Sequence, residues 1–203
     1  MAARLWDVIA DADAVVDLHT GSPDMLEHVR YQAGDADARR LAEAFGTTHL
    51  LVDEDDTRAD AAFKGRFRTA AARAGIPAVT AELSNSRRVA HSVVERGADG
   101  VANVLRALDV LAPAPADPPE QDTYRDDVEH TVAGASGFFE PARDVGVGDH
   151  VSAGDELGTV YDPATFAELE VVTAAGSGVV YSLTKGAVVV AGERLAGIAA
   201  PVT

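Results

Sequence analysis

Apolar and polar positions along the first 111 residues form blocks that predict strands and helices in turn. Short apolar runs, some rich in β-branched residues, predict strands. These strands are Ala14–His19, His49–Asp53 and Ile76–Leu83. Longer stretches with apolar residues at helical spacing predict helices, and these are Ala2–Ala10, Asp35–Phe45, Ala59–Ala74 and Val89–Leu111. Strands that alternate with helices indicate an α/β fold, a parallel or mixed sheet with helices on both faces.

The remainder of the chain, from residue 112, has a different pattern. Residues 112–121, APAPADPPEQ, contain four prolines and predict a stiff linker. From 122 to 203, short strands alternate with glycine turns, and the segment Val151–Leu157 recurs 38 residues later as Val189–Leu195. A glycine-led strand, at Gly137 and at Gly178, precedes each copy. This repeat predicts an all-β sandwich of two similar halves, each burying its apolar face on the other.

The β module resembles the barrel-sandwich domains of biotinyl and lipoyl carriers. In those carriers the modified lysine lies in the hairpin that joins the two halves. The corresponding segment here, Tyr161–Val172, contains no lysine, and Lys185 lies away from it in the second half. The sequence therefore argues against a carrier with a swinging cofactor.

Composition excludes several classes of protein. The 203 residues include 17 basic and 33 acidic side chains, for a formal net charge of −16, which argues against binding to nucleic acid through a general electrostatic footprint. No apolar run is long enough to span a membrane, and the acidic N-terminus is unlike a secretory signal. Cysteine is absent, so disulfides, thiolate zinc sites and cysteine nucleophiles are excluded. We expect a cytoplasmic protein that does not bind membranes.

Arginine predominates among the basic residues. Lys64 and Lys185 are the only lysines, and the other basic residues are arginines. An acidic, alanine-rich and lysine-poor composition is typical of salt-adapted proteins, above all those of haloarchaea, in which charge maintains solubility at high salt. An acidic protein from a bacterium with a GC-rich genome is the alternative.

Candidate chemistry lies where two predicted strands end. Asp17 and His19 close one strand, and Glu82 closes another. Ligands of open α/β sheets bind at strand ends. A neutral imidazole is a good zinc ligand, a nearby carboxylate can orient it, and a glutamate beside a metal-bound water is a suitable general base. A structural or solvated role for each residue is the alternative.

Two segments resemble the succinylglutamate desuccinylase/aspartoacylase family of zinc-dependent hydrolases, relatives of the zinc carboxypeptidases. They are AVVDLHTG, which contains His19, and GIPAVTAEL, which contains Glu82. A third similarity is the C-terminal β module, with Gly137–Pro141 followed by Val151–Leu157. The resemblance implies an incomplete carboxypeptidase-like catalytic domain over residues 1–111, followed by the 112–121 linker and a barrel-sandwich module over 122–203.

The resemblance also implies a zinc cofactor and roles for individual residues. His19 corresponds to a zinc ligand and Glu82 to the general base and acid, while Asp17 either supports His19 or is a buried structural carboxylate. The implied reaction is hydrolysis of the amide, or the ester, of a small N-acyl amino acid. Relatives include N-acetyl-diaminobutyrate deacetylases of ectoine breakdown, which suits a salt-adapted cell.

The sequence departs from the family at one motif. The family's other two zinc ligands come from H-x-x-E upstream of DLH, and none of the six histidines here begins that motif. Three explanations remain open: a start within a longer chain, a second chain that supplies the other half, or a degenerate fragment without catalysis. We expect the first domain to be incomplete, and to be marginally stable or self-associating when made alone. The partners expected are a small acyl-amino-acid substrate and either a second copy or a complementing N-terminal half.

The substrate-binding residues are not identified by the resemblance. Arg66, Arg68 and Arg73 precede the Glu82 strand, and one of them could bind a substrate carboxylate in bidentate fashion. A solvated helix face is the alternative for this cluster.

Overall fold

The computed structural model describes residues 2–21, 24–53, 67–83, 89–126 and 130–202. The chain divides into two compact units. The described residues of the first lie within 2–19, 27–83 and 89–123, and those of the second within 20–26 and 124–202. No helix among the described residues is long and apolar enough to cross a membrane.

The first unit alternates helices and strands. In chain order its elements are α1 (Ala2–Ile9), β1 (Val15–His19), β2 (His28–Gln32), α2 (Ala36–Phe45), β3 (His49–Asp53), α3 (Phe67–Arg73), β4 (Ala78–Glu82) and α4 (His91–Ala107). The ends of α2 show why it forms where the sequence predicts. The Asp35 side chain accepts a hydrogen bond from the backbone N–H of Ala38 (2.8 Å), and Gly46 adopts the left-handed conformation (φ 90°) just past the last residue.

The strands of the first unit form a mixed sheet in the order β1-β4-β2-β3. β1 runs parallel to β4, β4 antiparallel to β2, and β2 parallel to β3. One face of the sheet is apolar and packs with α2 and α4 into a core. Buried members of this core include Val29, Leu50, Val79 and Ala81 from the sheet, Leu41 and Phe45 from α2, and Val93 and Val104 from α4.

The other face of this sheet is largely polar. Because side chains alternate along a strand, the residues between the core positions point to the opposite side. His19 and Asp17 of β1, Glu82 and Thr80 of β4, and His28 and Arg30 of β2 therefore share that face. A smaller apolar cluster on it joins Ala71 of α3 and Ala78 of β4 to Val15 and Trp6.

The second unit is built from strands and turns among its described residues. Its strands are β5 (Asp122–Arg125, which begins in the first unit), β6 (Thr131–Val132), β7 (Gly137–Pro141), β8 (His150–Val151), β9 (Glu156–Tyr161), β10 (Glu168–Thr173), β11 (Gly178–Leu183), β12 (Ala187–Val189) and β13 (Arg194–Pro201). β10, β9, β7 and β12 form a four-stranded antiparallel sheet. β13 pairs with β5, β6 and β11, and β11 also pairs with β8.

The internal repeat corresponds to two halves, and strands of one half pair with strands of the other. Gly137 of the first half is paired with Val189 of the second, and Gly178 of the second half is paired with Val151 of the first. The two glycines have equivalent surroundings. A Cβ on Gly137 would lie 2.4 Å from the Tyr161 carbonyl oxygen, and a Cβ on Gly178 would lie 2.1 Å from that of Ala199. The predicted fold class, an α/β sheet followed by an all-β sandwich module, is confirmed.

Some predicted elements differ from the structure. The predicted helix over 89–111 is shorter, spanning His91–Ala107, and of the predicted helix over 59–74 only Phe67–Arg73 lies within the described residues as helix. Strand β2 is absent from the prediction. Residues 112–121 contain no helix or strand, and Gln121 donates hydrogen bonds from Nε2 to the carbonyl oxygens of Glu43 (3.2 Å) and Thr47 (2.8 Å).

Candidate active site

His19 and Glu82 are direct neighbours at the ends of two parallel strands. They are register partners in the β1–β4 pair, so both side chains lie on the polar face. His19 Nδ1 lies 3.3 Å from Glu82 Oε1. The pairing continues one step further, since the backbone N–H of Leu83 donates to the His19 carbonyl oxygen (2.9 Å). The two residues chosen from strand ends in the sequence therefore meet in one site.

Asp17 lies on the same strand as His19 and contacts its other ring nitrogen. The distance from His19 Nε2 to Asp17 Oδ2 is 3.0 Å. Because an ionised carboxylate only accepts hydrogen bonds, this contact places a proton on Nε2. The other ring nitrogen, Nδ1, faces the carboxylate of Glu82. A carboxylate in this position orients a metal-ligating imidazole.

The side chains of the site become less exposed to solvent from His19 through Glu82 to His28. The His19 side chain is 48% exposed and that of Glu82 is 13% exposed. The second carboxylate oxygen of Glu82, Oε2, is buried and makes no hydrogen bond within the part of the chain that the structure describes. On the far side of Glu82 stands His28 of β2, its register partner in the antiparallel β2–β4 pair, which is fully buried.

A charged cluster occupies the same face further along the strands. Arg68 forms an ion pair with Asp53 and donates from Nη1 to Thr80 Oγ1 (2.6 Å), and Arg30 Nη2 lies 3.2 Å from Asp53 Oδ1. The side chain of Arg68 is 8% exposed, so the interpretation of this arginine as part of a solvated helix face is wrong. Arg66 lies outside the described residues.

The donor set fits zinc, the cofactor that the resemblance implies, only in part. His19 fits one ligand position, because Nε2 is engaged by Asp17 while Nδ1 faces the carboxylate of Glu82. A structural or catalytic zinc site requires at least three protein ligands. Within the described ranges, no group of three histidine, aspartate or glutamate side chains could hold a metal ion. These residues supply one ligand and its orienting carboxylate, and they do not form a zinc site by themselves.

Sequence reasoning missed His28. The strand that carries it, HVRYQ, alternates core residues with polar ones at a period of two, and this pattern is the signal that could have found it. Burial follows the alternation, since Val29 and Tyr31 belong to the apolar core. His28 therefore belongs to the polar face and stands next to Glu82.

Comparison with known proteins identifies the family. The model of the succinylglutamate desuccinylase/aspartoacylase catalytic domain matches residues 2–108. The chain belongs to this family. The match covers just over half of the chain and includes Asp17, His19, His28 and Glu82, so the site lies within the part of the chain that resembles the family's catalytic domain. No curated protein matches the chain.

Solved structures of the family share the fold. A succinylglutamate desuccinylase/aspartoacylase from Rhodobacter sphaeroides is 27% identical, with a TM-score of 0.81, and the match covers 100% of this chain and 63% of that one. The ectoine utilization protein EutE (DoeB) from Ruegeria pomeroyi is 22% identical, with a TM-score of 0.79 and coverages of 96% and 61%. An aspartoacylase family protein from Mesorhizobium loti is 21% identical, with a TM-score of 0.72 and coverages of 100% and 69%.

The chain thus spans less than two thirds of the length of the first two relatives. Both units follow the family architecture, because these matches extend over nearly the whole chain. The predicted family and its mixed α/β fold with an all-β module are confirmed.

Proposed function

We propose that this chain takes part in the hydrolysis of the amide bond, or the ester bond, of a small N-acyl amino acid in a zinc-dependent reaction. The observation that carries the proposal is the pairing of His19 with Glu82, 3.3 Å apart at adjacent strand ends, with Asp17 behind the imidazole. A hydrolytic metal site needs an imidazole ligand, a carboxylate that orients this ligand, and a half-buried glutamate near the metal.

Glu82 is the general base and acid in this proposal. Its carboxylate takes a proton from the attacking water at Oε1 and passes it to the nitrogen of the leaving amine, so the products are a carboxylate and a free amino acid. Limited exposure suits this role, because little bulk water competes for the oxygen that moves the proton.

His19 is one metal ligand in this proposal, through Nδ1, and Asp17 holds its ring by accepting from Nε2. Further ligands must come from a longer form of this chain or from a second chain. The substrate class is supported by the family description, which names succinylglutamate desuccinylase and aspartoacylase. A match to an ectoine utilization protein is compatible with the acidic, lysine-poor composition expected of a salt-adapted protein.

A non-catalytic fragment or interaction module is the second candidate. It is favoured by two observations: H-x-x-E is absent from the 203 residues, and no three-residue metal cluster exists among the described residues. A protein of this kind would retain the fold and the His19–Glu82 pair without binding metal.

Zinc content and hydrolysis together separate the two candidates. The purified 203-residue chain is dialysed, its zinc measured by elemental analysis, and release of free amine followed with N-succinyl and N-acetyl amino acids. In a preparation whose zinc site is completed by the further ligands, we expect Glu82→Gln to abolish hydrolysis at unchanged zinc content, and His19→Ala to abolish both. Glu95→Gln is the matched control, since Glu95 lies on the exposed face of α4, with its Oε1 3.4 Å from His91 Nε2. A chain without zinc and without turnover, even when zinc is supplied, supports the non-catalytic candidate.

A further inference from the structure

Glu82 stands between two imidazoles on three neighbouring strands. Its register partner in β1 is His19 and its register partner in β2 is His28. Side chains of directly opposed residues point to the same face of a sheet, with Cβ atoms about 5 Å apart. The row His19–Glu82–His28 therefore crosses the polar face in one line, with the carboxylate in the middle.

The two imidazoles differ in their contact with solvent. The side chain of His19 is 48% exposed, that of Glu82 is 13% exposed, and His28 is fully buried. Among the described residues of the row, exposure to solvent is therefore greatest at the β1 end. His28 is the buried inner end of the row.

Hydrogen bonds within the described residues do not hold both oxygens of the Glu82 carboxylate. Oε1 faces His19, whereas Oε2 is buried and makes no hydrogen bond within the described residues. A buried oxygen of this kind gains free energy if it finds a water molecule. A cavity beside it would admit that water, since polar cavities of sufficient size are hydrated. The carboxylate could then turn away from His19.

The backbone that carries His28 is firmly anchored. The preceding residue, Glu27, forms a forked ion pair with Arg96 of α4, with Arg96 Nε 2.9 Å and Nη2 2.6 Å from Oε2. The following residue, Val29, is fully buried in the core. The backbone at His28 is thus held through both of its neighbours in the chain, and its side chain is fully buried.

From these observations we propose that His28 is a positioning residue that keeps the carboxylate of Glu82 turned toward His19. The proposal rests on the proposed function in one respect, the role of Glu82 as general base. His28 acts through its volume: it fills the space behind Glu82 and excludes water from Oε2. It touches neither substrate nor metal in this role.

The test follows the His19 ring in the metal-free chain by ¹⁵N NMR at one fixed pH, so it does not require turnover. Glu82→Gln defines how the ring signals change when the carboxylate is lost. We expect His28→Ala to shift the His19 signals in the same direction, and His28→Leu, which nearly conserves the volume, to leave them in place. His49→Ala is the control, because it removes an imidazole one strand further from Glu82.

Two results would overturn the proposal. One is a folded His28→Ala chain with unchanged His19 signals. The other is a folded His28→Leu chain that shifts them as much as His28→Ala does, because the imidazole itself and not its volume would then matter. Should His28→Ala fail to fold, His28→Val gives a smaller truncation that suits a strand and is judged by the same signals. Loss of hydrolysis in the parent chain affects the proposed function alone, since this readout is independent of it.

Discussion

Asp17 and His19 lie two residues apart on β1, and the Oδ2 atom of Asp17 is 3.0 Å from the Nε2 atom of His19. The same ring presents Nδ1 to Glu82 Oε1 at 3.3 Å. The imidazole is therefore held between two carboxylates, one from its own strand and one from the neighbouring strand. Which nitrogen carries the proton of the neutral ring depends on which carboxylate is the better acceptor.

Replacing Asp17 with alanine should move that proton. In the parent chain we expect the neutral ring to carry it on Nε2, because the contact with Asp17 is the shorter one. In Asp17→Ala, Glu82 is the remaining carboxylate beside the ring among the described residues, so the proton should move to Nδ1. The ¹⁵N shifts of the two ring nitrogens distinguish these tautomers directly. Asp13→Ala removes a similar charge from an exposed site and should leave the tautomer unchanged; an unchanged tautomer in Asp17→Ala would refute the orienting role.

The buried charge cluster predicts a large loss of stability. Asp53 is 14% exposed and pairs with both Arg30 and Arg68, which are themselves almost fully buried. Asp53→Ala leaves two guanidinium groups near each other without their shared anion, and we expect the free energy of unfolding of the first unit to fall by about 3–5 kcal/mol. Denaturant unfolding checks this. Asp37→Ala breaks an exposed pair with Arg40 and should change stability by less than about 1 kcal/mol.

Sequence patterns predicted much of the fold because they are local. Apolar runs gave β1, β3 and β4, and a capping aspartate and a left-handed glycine bounded α2 as expected. The pairing of His19 with Glu82 is not local, because it depends on the register of two strands 63 residues apart in the chain. The sequence could place both residues at strand ends, and only the resemblance to the family suggested that those ends meet.

Burial of polar residues was harder to predict. β2 was missed because His28, Arg30 and Gln32 interrupt its apolar pattern, and a search for long apolar runs passes over a strand with one polar face. Arg68 was interpreted as a solvated or substrate-binding side chain, since helical spacing alone does not tell which face another element covers. Its partner Asp53 ends β3, the element before α3 in the chain, but the helical pattern of α3 does not show that Arg68 turns back toward that strand end.

The surroundings of two glycines in the β module predict which of them tolerates a side chain. A Cβ on Gly178 would meet the carbonyl oxygen of Ala199 at 2.1 Å, and this backbone atom belongs to the β11–β13 pair. We expect Gly178→Ala to destabilise the second unit by about 3 kcal/mol or more, because the two strands must separate to make room. Gly154→Ala is the comparison, since it has a positive φ of 90° but no neighbour within 4 Å. Its cost should be about 1–2 kcal/mol, and equal losses in denaturant unfolding would contradict the steric explanation.

The turn between β9 and β10 should respond to pH. Backbone N–H groups of Thr165 and Ala164 donate to the Asp162 carboxylate and lower its pKa. A carboxylate whose pKa is lower in the folded state stabilises that state above its unfolded pKa, and the contribution disappears as pH falls through the folded pKa. Asp162→Ala should therefore weaken the turn at neutral pH and have little effect in strong acid. Amide exchange of residues 164–167, compared with the parent at each pH, measures the difference; a constant difference would exclude Asp162 as the cause.

The second unit provides a test of the expected independence of the β module. Residues 122–203 contain the strands of the sandwich, yet part of β11 is paired with residues 24–26. Leu26 donates its backbone N–H to the Tyr181 carbonyl oxygen (2.8 Å), and Leu183 donates to that of Asp24 (3.1 Å). We expect a 122–203 fragment to fold, because its core lies within it, and to exchange the Leu183 amide faster than the full chain does. A bare strand edge also favours association, so the fragment should self-associate more than the full chain in sedimentation experiments. An unfolded fragment would show that residues outside 122–203 are needed for the module to form.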